Sequence, residues 1–462
     1  MSEKVVQLLR DKPVARWTAL GLVAFTMFCG YYFSDVMAPL KKMLETDLHW
    51  NSTEYGVFTS AYGWFNVFLL MLVFGGLILD KVGVRFTGIG AIVVMIGGAF
   101  IKYYAVSHPD SFSGTVNMWV PFMGTSTIKT QTLMAGLGFA TFGVGVEVAG
   151  ITVSKAIVRW FKGKEMALAM GLEMATARLG TALTLLGSFP LAHHFQQVSA
   201  PLLFGVVLLC IGLIGWLVFI VMDRKLDASA GALEMEPEEP FRVRDIVSII
   251  RSRGFWLVAI LCVLFYSAVF PFLKYAPDLM LNKYGVSEGL SGMIPSILPF
   301  GTILLTPFFG NLYDRKGKGA TIMIIGALML IGVHFLFTMP ILNVWWFALL
   351  LMIILGIAFS LVPSAMWPSV PKIIDENKLG TAYALIFWVQ NWGLTLVPLL
   401  IGVVLDKYCI IGQNADGSKA YNYFLPMAIF TAFGILAILT ALWLKREDKR
   451  KNYGLEKPNI KA

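Results

Sequence analysis

The sequence predicts an all-α membrane protein of twelve transmembrane helices arranged as two pseudo-symmetric six-helix bundles. Three observations carry this. Of 462 residues, 57% are hydrophobic and only 14% charged, well below the roughly 25% charged residues of a soluble domain. Apolar runs of about 20 residues recur from Trp17 to Trp443, about twelve in all, and each is long enough to cross a hydrocarbon core of about 30 Å. A Gly-xxx-Asp-basic turn also recurs at corresponding places in the two halves. Hydrocarbon offers the backbone no hydrogen-bond partner, so each run is read as a helix that satisfies its own polar groups.

In chain order, the pattern gives a tail over 1–16, a first bundle over 17–222, a polar break over 223–254, a second bundle over 255–444 and a basic tail over 445–462. Residues 1–16 are too polar for a signal-peptide core, so the first span reads as an uncleaved anchor. With twelve spans, the tails and the even-numbered turns hold about 27 of the 37 Lys and Arg, against about 7 in the opposite loops. This positive-inside bias predicts that both termini are cytoplasmic. It also accounts for the net charge of +9 without nucleic acid as a partner, and it makes the final tail an orienting, lipid-facing segment. The four cysteines give neither a disulfide framework nor metal spacing, and no cofactor is implied. Asn51-Ser52-Thr53 is formally a glycosylation sequon, but a helix N-cap ahead of Glu54 is the simpler role.

The repeated turn is "GGLILDKVGVR" after the second span and "GNLYDRKGKGA" after the eighth. Gly76 suits close helix approach, while Asp80, Lys81 and Arg85 suit charge-assisted bonds to neighbouring helix ends, a latch for one face. In the second copy Gly310, Asp314 and Arg315 match, but Gly319 stands where Arg85 stands, which predicts a weaker latch. Two six-helix halves with this turn in each resemble the major facilitator superfamily. That resemblance implies halves that rock around a midplane site.

Charges inside spans mark the site, because a charge at the bilayer centre costs about 2.5 kcal/mol or more. Glu147 lies about eleven residues from the end of the fourth span, and Arg178 about eleven from the start of the fifth. At 1.5 Å per residue both sit about 16 Å deep. Two readings stand side by side: a structural salt bridge, or a clamp in which the carboxylate takes an ammonium and the guanidinium a carboxylate of a zwitterionic ligand. Glu173, five residues before Arg178, faces elsewhere on the helix and is a candidate second gate or proton site. Asp35 is expected to pair with Lys41 or Lys42, Lys155 to snorkel, and Lys274, after Pro271, either to enter the cavity or to snorkel. Gln390 and Asn391, between Trp388 and Trp392, suit helix–helix bonds or a peptide amide. Tyr31, Tyr62, Trp64, Tyr266 and Trp388 are candidate cavity aromatics.

Within the superfamily, "RWFKGKEMALAMGLEMATARLG", "FWLVAILCVLFYSAVFPF", "LGTAYALIFWVQNWGL" and "AYGWFNV" resemble the branch of lysosomal dipeptide transporters. The resemblance implies that Glu147 and Arg178 hold the two charged ends of a dipeptide; on the residues' own chemistry, Gln390 and Asn391 would then take its amide. Glu173 and Lys274 depart from that branch, which carries an uncharged amide and a small residue there; an added acid and base bear on peptide preference and on uniport versus proton coupling. The expected function is therefore a dipeptide carrier working by alternating access, as a uniporter or proton-linked. The rival within transport is an organic-anion carrier in which Arg178 and Lys274 grip the substrate and Glu147 relays a proton. A transporter-like receptor would carry an appended signalling domain, and an enzyme a nucleotide loop, metal cluster or nucleophile elbow; none is in the sequence. The partners expected are a small-molecule substrate and the lipid bilayer, with the chain acting as a monomer in a bacterial cytoplasmic membrane, or in a lysosomal membrane if its source is eukaryotic.

Overall fold

The computed structural model describes residues 9–161, 164–230, 243–375 and 378–459. Residues 1–8 of the first tail, 231–242 of the central break and 460–462 of the last tail lie outside the described residues. Ten continuous helical stretches among them are long and apolar enough to cross a bilayer. Two further passes come from a fold-back and from the fifth span.

The fold-back occurs at Gly83, whose φ of 81° breaks the stretch Met71–Ser107, a backbone conformation that favours glycine. Gly75, ahead of the break, abuts Val148, and Ala91, beyond it, abuts Gly145. The chain thus passes the same level of the fourth span twice, in opposite directions. The second span is then Ser52–Ser60, Ala61–Gly63, Trp64–Phe68 and residues 71–82, and the third is residues 84–107. Asn51 caps the second span in a reciprocal box with Glu54. The fifth span, Met166–Phe195, carries Glu173, Arg178 and several threonines, so it is less apolar than its neighbours. The remaining passes are Pro13–Asp35, Thr130–Phe161, Ala200–Ala230, Arg253–Ser267 continued by Phe270–Tyr284, Met293–Lys316, Gly319–Thr338, Trp345–Met366, Leu379–Tyr408 and Phe424–Lys451.

The halves meet where the second span packs on the eleventh and the fifth on the eighth. Glycines let the backbones touch there. A Cβ on Gly402 would stand 2.3 Å from the Ser52 carbonyl oxygen, and one on Gly292 would stand 1.9 Å from that of Leu185.

Polar bonds between the halves gather at the face opposite the termini. Lys274 Nζ lies 2.6 Å from Asp35 Oδ1, Lys41 Nζ 3.1 Å from Asp278 Oδ2, and Lys42 Nζ 2.7 Å from Glu288 and 2.5 Å from Asp416. Asp35 therefore pairs with Lys274 across the halves rather than with Lys41 or Lys42, because those two ammoniums are already taken by carboxylates of the second half. A hairpin, Ile410–Gln413 with Lys419–Tyr421, reaches over the first half and donates the Tyr421 hydroxyl to Glu45 at 2.8 Å. Lys42 and Ser418 hold the Asp416 carboxyl well below the usual carboxylate range. A depressed carboxyl lends its stability above its unfolded pKa of about 3.9 and loses it only as pH falls through the lower folded value, so this bond survives mild acid.

At the termini face the ion pairs between described residues stay within one half. Lys155 binds Asp80 at 2.9 Å instead of snorkelling, and Arg85 binds Asp223 at 2.6 Å and also Asp227. The second half is held differently. Lys318 takes a left-handed φ of 63°, and the N–H groups of Lys318 and Gly319 donate to the carbonyls of Glu456 and Leu455 at 3.0 and 2.9 Å. Asn459 donates to Asp314 at 2.7 Å, Glu456 accepts from Thr321, and Leu455 is fully buried. The described part of the last tail is thus a strap on the second half, where a lipid-facing segment was expected. The strap's carbonyls accept the open backbone N–H groups of the turn, so the second turn is held by a different set of bonds from the Arg85–Asp223 pair of the first half.

With the halves tied by ion pairs at one face and, among the described residues, by none at the other, the cavity between them is read as open toward the termini. Replacing Gly402 with Val is expected to open the sealed face, since overpacking costs about 1–3 kcal/mol, or about 5–150-fold in the balance of states. Spin labels at positions 47 and 415 should move apart in that variant; an unchanged distance would contradict the close-approach account.

Candidate substrate cavity

The cavity between the halves has a volume of about 430 Å³, within the roughly 300–1,000 Å³ usual for small-molecule sites. Glu147 and Arg178 both line it, with Tyr31, Asp35, Tyr62, Tyr266, Lys274 and Gln390.

Local packing explains how each charge is presented. Gly143, one turn before Glu147, has no side chain because a Cβ there would lie 2.2 Å from the Tyr62 carbonyl oxygen, and Gly63 presses on Thr395 in the same way. The 3-10 turn Ala61–Gly63 is therefore wedged between the fourth and eleventh spans. From it the Tyr62 hydroxyl donates to Glu147 Oε1 at 3.0 Å. On the fifth span, Gly180 lets the helix lie against the Phe28 carbonyl of the first span. Two residues earlier, the Arg178 guanidinium stands 5.1 Å from the ring centres of Phe270 and Phe359 and 5.7 Å from that of Tyr31. These rings hold a cation without neutralising it. Among the described residues no ion pair joins Arg178 to Glu147: the acid and the base share a cavity and stand apart.

Lys274 follows a break in the seventh span, where the stretch Arg253–Ser267 gives way to Phe270–Tyr284 with Pro271 in its first turn. The imidazole of buried His334 bonds the Ala268 carbonyl freed there, at 2.9 Å. Lys274 reaches the cavity edge, but its ammonium donates to the Ser34 carbonyl and to Asp35, each at 2.6 Å. It acts as a bolt between halves.

Gln390 lines the cavity and accepts from Cys262 Sγ at 3.4 Å. Asn391 is buried, and its amide donates to the Phe387 carbonyl of its own helix at 3.0 Å. Tyr266 is on the wall, held by Trp367 Nε1 at 3.0 Å. Trp64 and Trp388 lie off the wall, bonding Ser60 Oγ and the Val67 carbonyl respectively. Glu173 is also off the wall. The turn residues Asp80, Lys81, Arg85, Asp314 and Arg315 belong to the termini face. Sequence reasoning missed Trp367, Tyr383 and Phe387 as wall residues, because an aromatic within an apolar span carries no mark of the face it occupies.

The Major Facilitator Superfamily profile matches residues 20–398, and the chain belongs to that family: it is a multi-pass membrane transporter and not an enzyme. The lysosomal dipeptide transporter MFSD1 of Bos taurus is 27% identical over 410 residues, covering 85% of this chain and 80% of that protein. MFSD1 of Danio rerio is 27% identical over 451 residues, covering 95% and 88%. Among solved structures, the nucleoside transporter NupG in a mutant form superimposes with a TM-score of 0.69 at 14% identity, over 93% of this chain and 99% of that one. A bacterial homologue of the human lysosomal transporter Spinster, inward-facing and occupied, gives 0.68 at 12% identity over 94% and 98%. At such identities the likeness is one of fold.

Lys102 was also missed, although a lysine in "GGAFIKYYAV" is visible in the sequence. Its Nζ has no hydrogen-bond partner among the described residues and sits 4.2 Å from the ring centre of Phe139, 4.5 Å from Phe33 and 5.1 Å from Phe58. Such rings give back about 0.5–2 kcal/mol, while exchanging buried ionic groups for apolar ones of like volume stabilises by about 1–4 kcal/mol. Lys102→Met should therefore raise the Tm measured in detergent; a lower Tm would show that the cage fully compensates the ammonium.

Proposed function

We propose that this transporter carries dipeptides, or zwitterions of similar size, by alternating access. The observation that supports this best is that Glu147 and Arg178 line one cavity without neutralising each other. A substrate with an ammonium at one end and a carboxylate at the other offers each its counter-charge, in a medium where neither is solvated. Glu147, steadied by the Tyr62 hydroxyl, takes the amino terminus. Arg178, lifted off the helix by its rings, takes the carboxylate bidentately. Gln390 faces the intervening amide, and the aromatic wall accepts side chains with little discrimination. The MFSD1 relatives, named as dipeptide transporters, support the same substrate class. The organic-anion alternative asks Lys274 to grip substrate, and that ammonium is already committed to Asp35.

The Lys and Arg bias supports placing the termini face in the cytoplasm, so the conformation described is the inward-facing one. Asp80 and Arg85, paired within the first half in this conformation, and Asp314 with its strap, form the frame on which the cytoplasmic face closes. One chain supplies the whole cavity, so a monomer suffices, and the short loops opposite the termini suit a bacterial cytoplasmic membrane.

Competition in proteoliposomes tests the clamp. Free dipeptide should compete with labelled dipeptide, whereas N-acetylated or C-amidated forms should compete about 10–100-fold less well, the worth of one charge-assisted bond at about 1.5–3 kcal/mol. Glu147→Gln and Arg178→Met should each lower uptake by a similar factor. Equal competition by doubly capped peptides would overturn the reading. Counterflow with no pH gradient would mark a uniporter, and strict dependence on inward proton flow would assign a titrating role to Glu147 or Glu173.

A further inference from the structure

A second pocket lies at the termini face of the second half, between the start of the seventh span and the end of the twelfth. Its volume is about 260 Å³, and Arg253, Trp443, Arg446, Glu447 and Arg450 line it. We propose that it binds the phosphate headgroup of an anionic phospholipid.

Arg446 and Arg450 are four residues apart and share one helix face with Trp443, while Arg253 comes from the facing helix. One buried carboxylate organises them: Glu447 Oε1 is 2.8 Å from Arg450 Nη2, and its Oε2 is 4.0 Å from Arg253 Nε. Asp448, next along the chain, is turned away and accepts the N–H groups of Gly454 and Leu455 at 2.9 and 3.0 Å. Arg446 forms no ion pair among the described residues. Three guanidiniums thus face one carboxylate, leaving two positive charges around a space sized for a phosphate and its glycerol. Arginine matches phosphate oxygens through paired N–H groups, and basic pockets between helices at this face are where anionic headgroups bind.

The neighbouring surface distinguishes lipid from free phosphate. Ile435, Leu436, Leu439, Leu442 and Trp443 are exposed large apolar residues on the same helix. They make a track down which acyl chains run from a headgroup held by the arginines. The lipid ties the seventh and twelfth helices together at the base of the half that carries the strap. Occupancy in cells rests on the proposed cytoplasmic orientation of this face, whereas binding in nanodiscs, which present both leaflets, does not.

The test uses the full chain in phosphatidylcholine nanodiscs with and without phosphatidylglycerol, reading Tm and the lipid retained in native mass spectrometry. Phosphatidylglycerol should raise the Tm and be retained. The Arg446→Gln/Arg450→Gln variant should keep the wild-type Tm in pure phosphatidylcholine but retain at least about tenfold less phosphatidylglycerol, the loss expected from removing charge-assisted bonds. Lys449→Gln, which removes a charge outside the pocket, should retain it normally. Equal loss in both variants would reduce the effect to general surface charge and overturn the site. A Tm rise produced equally by inorganic phosphate or glycerol phosphate would overturn the lipid assignment in favour of a soluble anion. A double variant that is destabilised even in pure phosphatidylcholine is replaced by Arg446→Lys/Arg450→Lys, which keeps the charge and loses the paired geometry; normal retention there would likewise overturn the proposed recognition.

Discussion

Hydrocarbon cannot solvate charge, and that constraint organises this molecule from the helix turns to the central cavity. Every ionised group within the spans must find a partner, be screened by rings, or face water in the cavity. Asp35 and Lys274 satisfy it by pairing across the halves, which seals one face. Lys102 meets it with three phenylalanine rings. Glu147 and Arg178 meet it only in part, through a tyrosine hydroxyl and a ring of aromatics. A site left incompletely satisfied is one in which a ligand of matching charge gains the most.

The same constraint makes the proposed rocking of the halves workable. Contacts between the halves include close backbone approaches at glycines, hydrogen bonds such as Tyr421 to Glu45 and Trp388 to the Val67 carbonyl, and the ion pairs of the sealed face, which exchange protein partners for water as that face opens. The turns at the termini face use their charges within each half, so each bundle keeps its shape whichever face is open. In the second half, where glycine stands in place of Arg85, the turn is held instead by the returning tail, whose carbonyls accept the N–H groups of Lys318 and Gly319. Pseudo-symmetry is therefore preserved in function with different chemistry on its two sides.

Much of this was legible in the residues. Apolar runs, the repeated turn and the bias of basic residues are local properties, and depth along a helix follows from counting, so Glu147 and Arg178 could be set at one level from the sequence. Partnership across the halves was not legible. Nothing near Asp35 in the chain points to Lys274, and the nearer lysines at 41 and 42 were taken by carboxylates hundreds of residues away. The docked tail was equally hidden, because its basic composition matches a lipid-facing segment while Leu455 alone reveals a buried anchor. Trp64 and Trp388 look like cavity aromatics in sequence and prove to be spacers bonded to backbone and hydroxyl.

The central claim is that two unpaired opposite charges in one cavity grip the two ends of a single substrate. A structure of the chain with a bound dipeptide tests it most directly. The account predicts the peptide ammonium within hydrogen-bond distance of Glu147 and its carboxylate on the Arg178 guanidinium. A peptide bound in reverse, or one lying clear of both side chains, would contradict it.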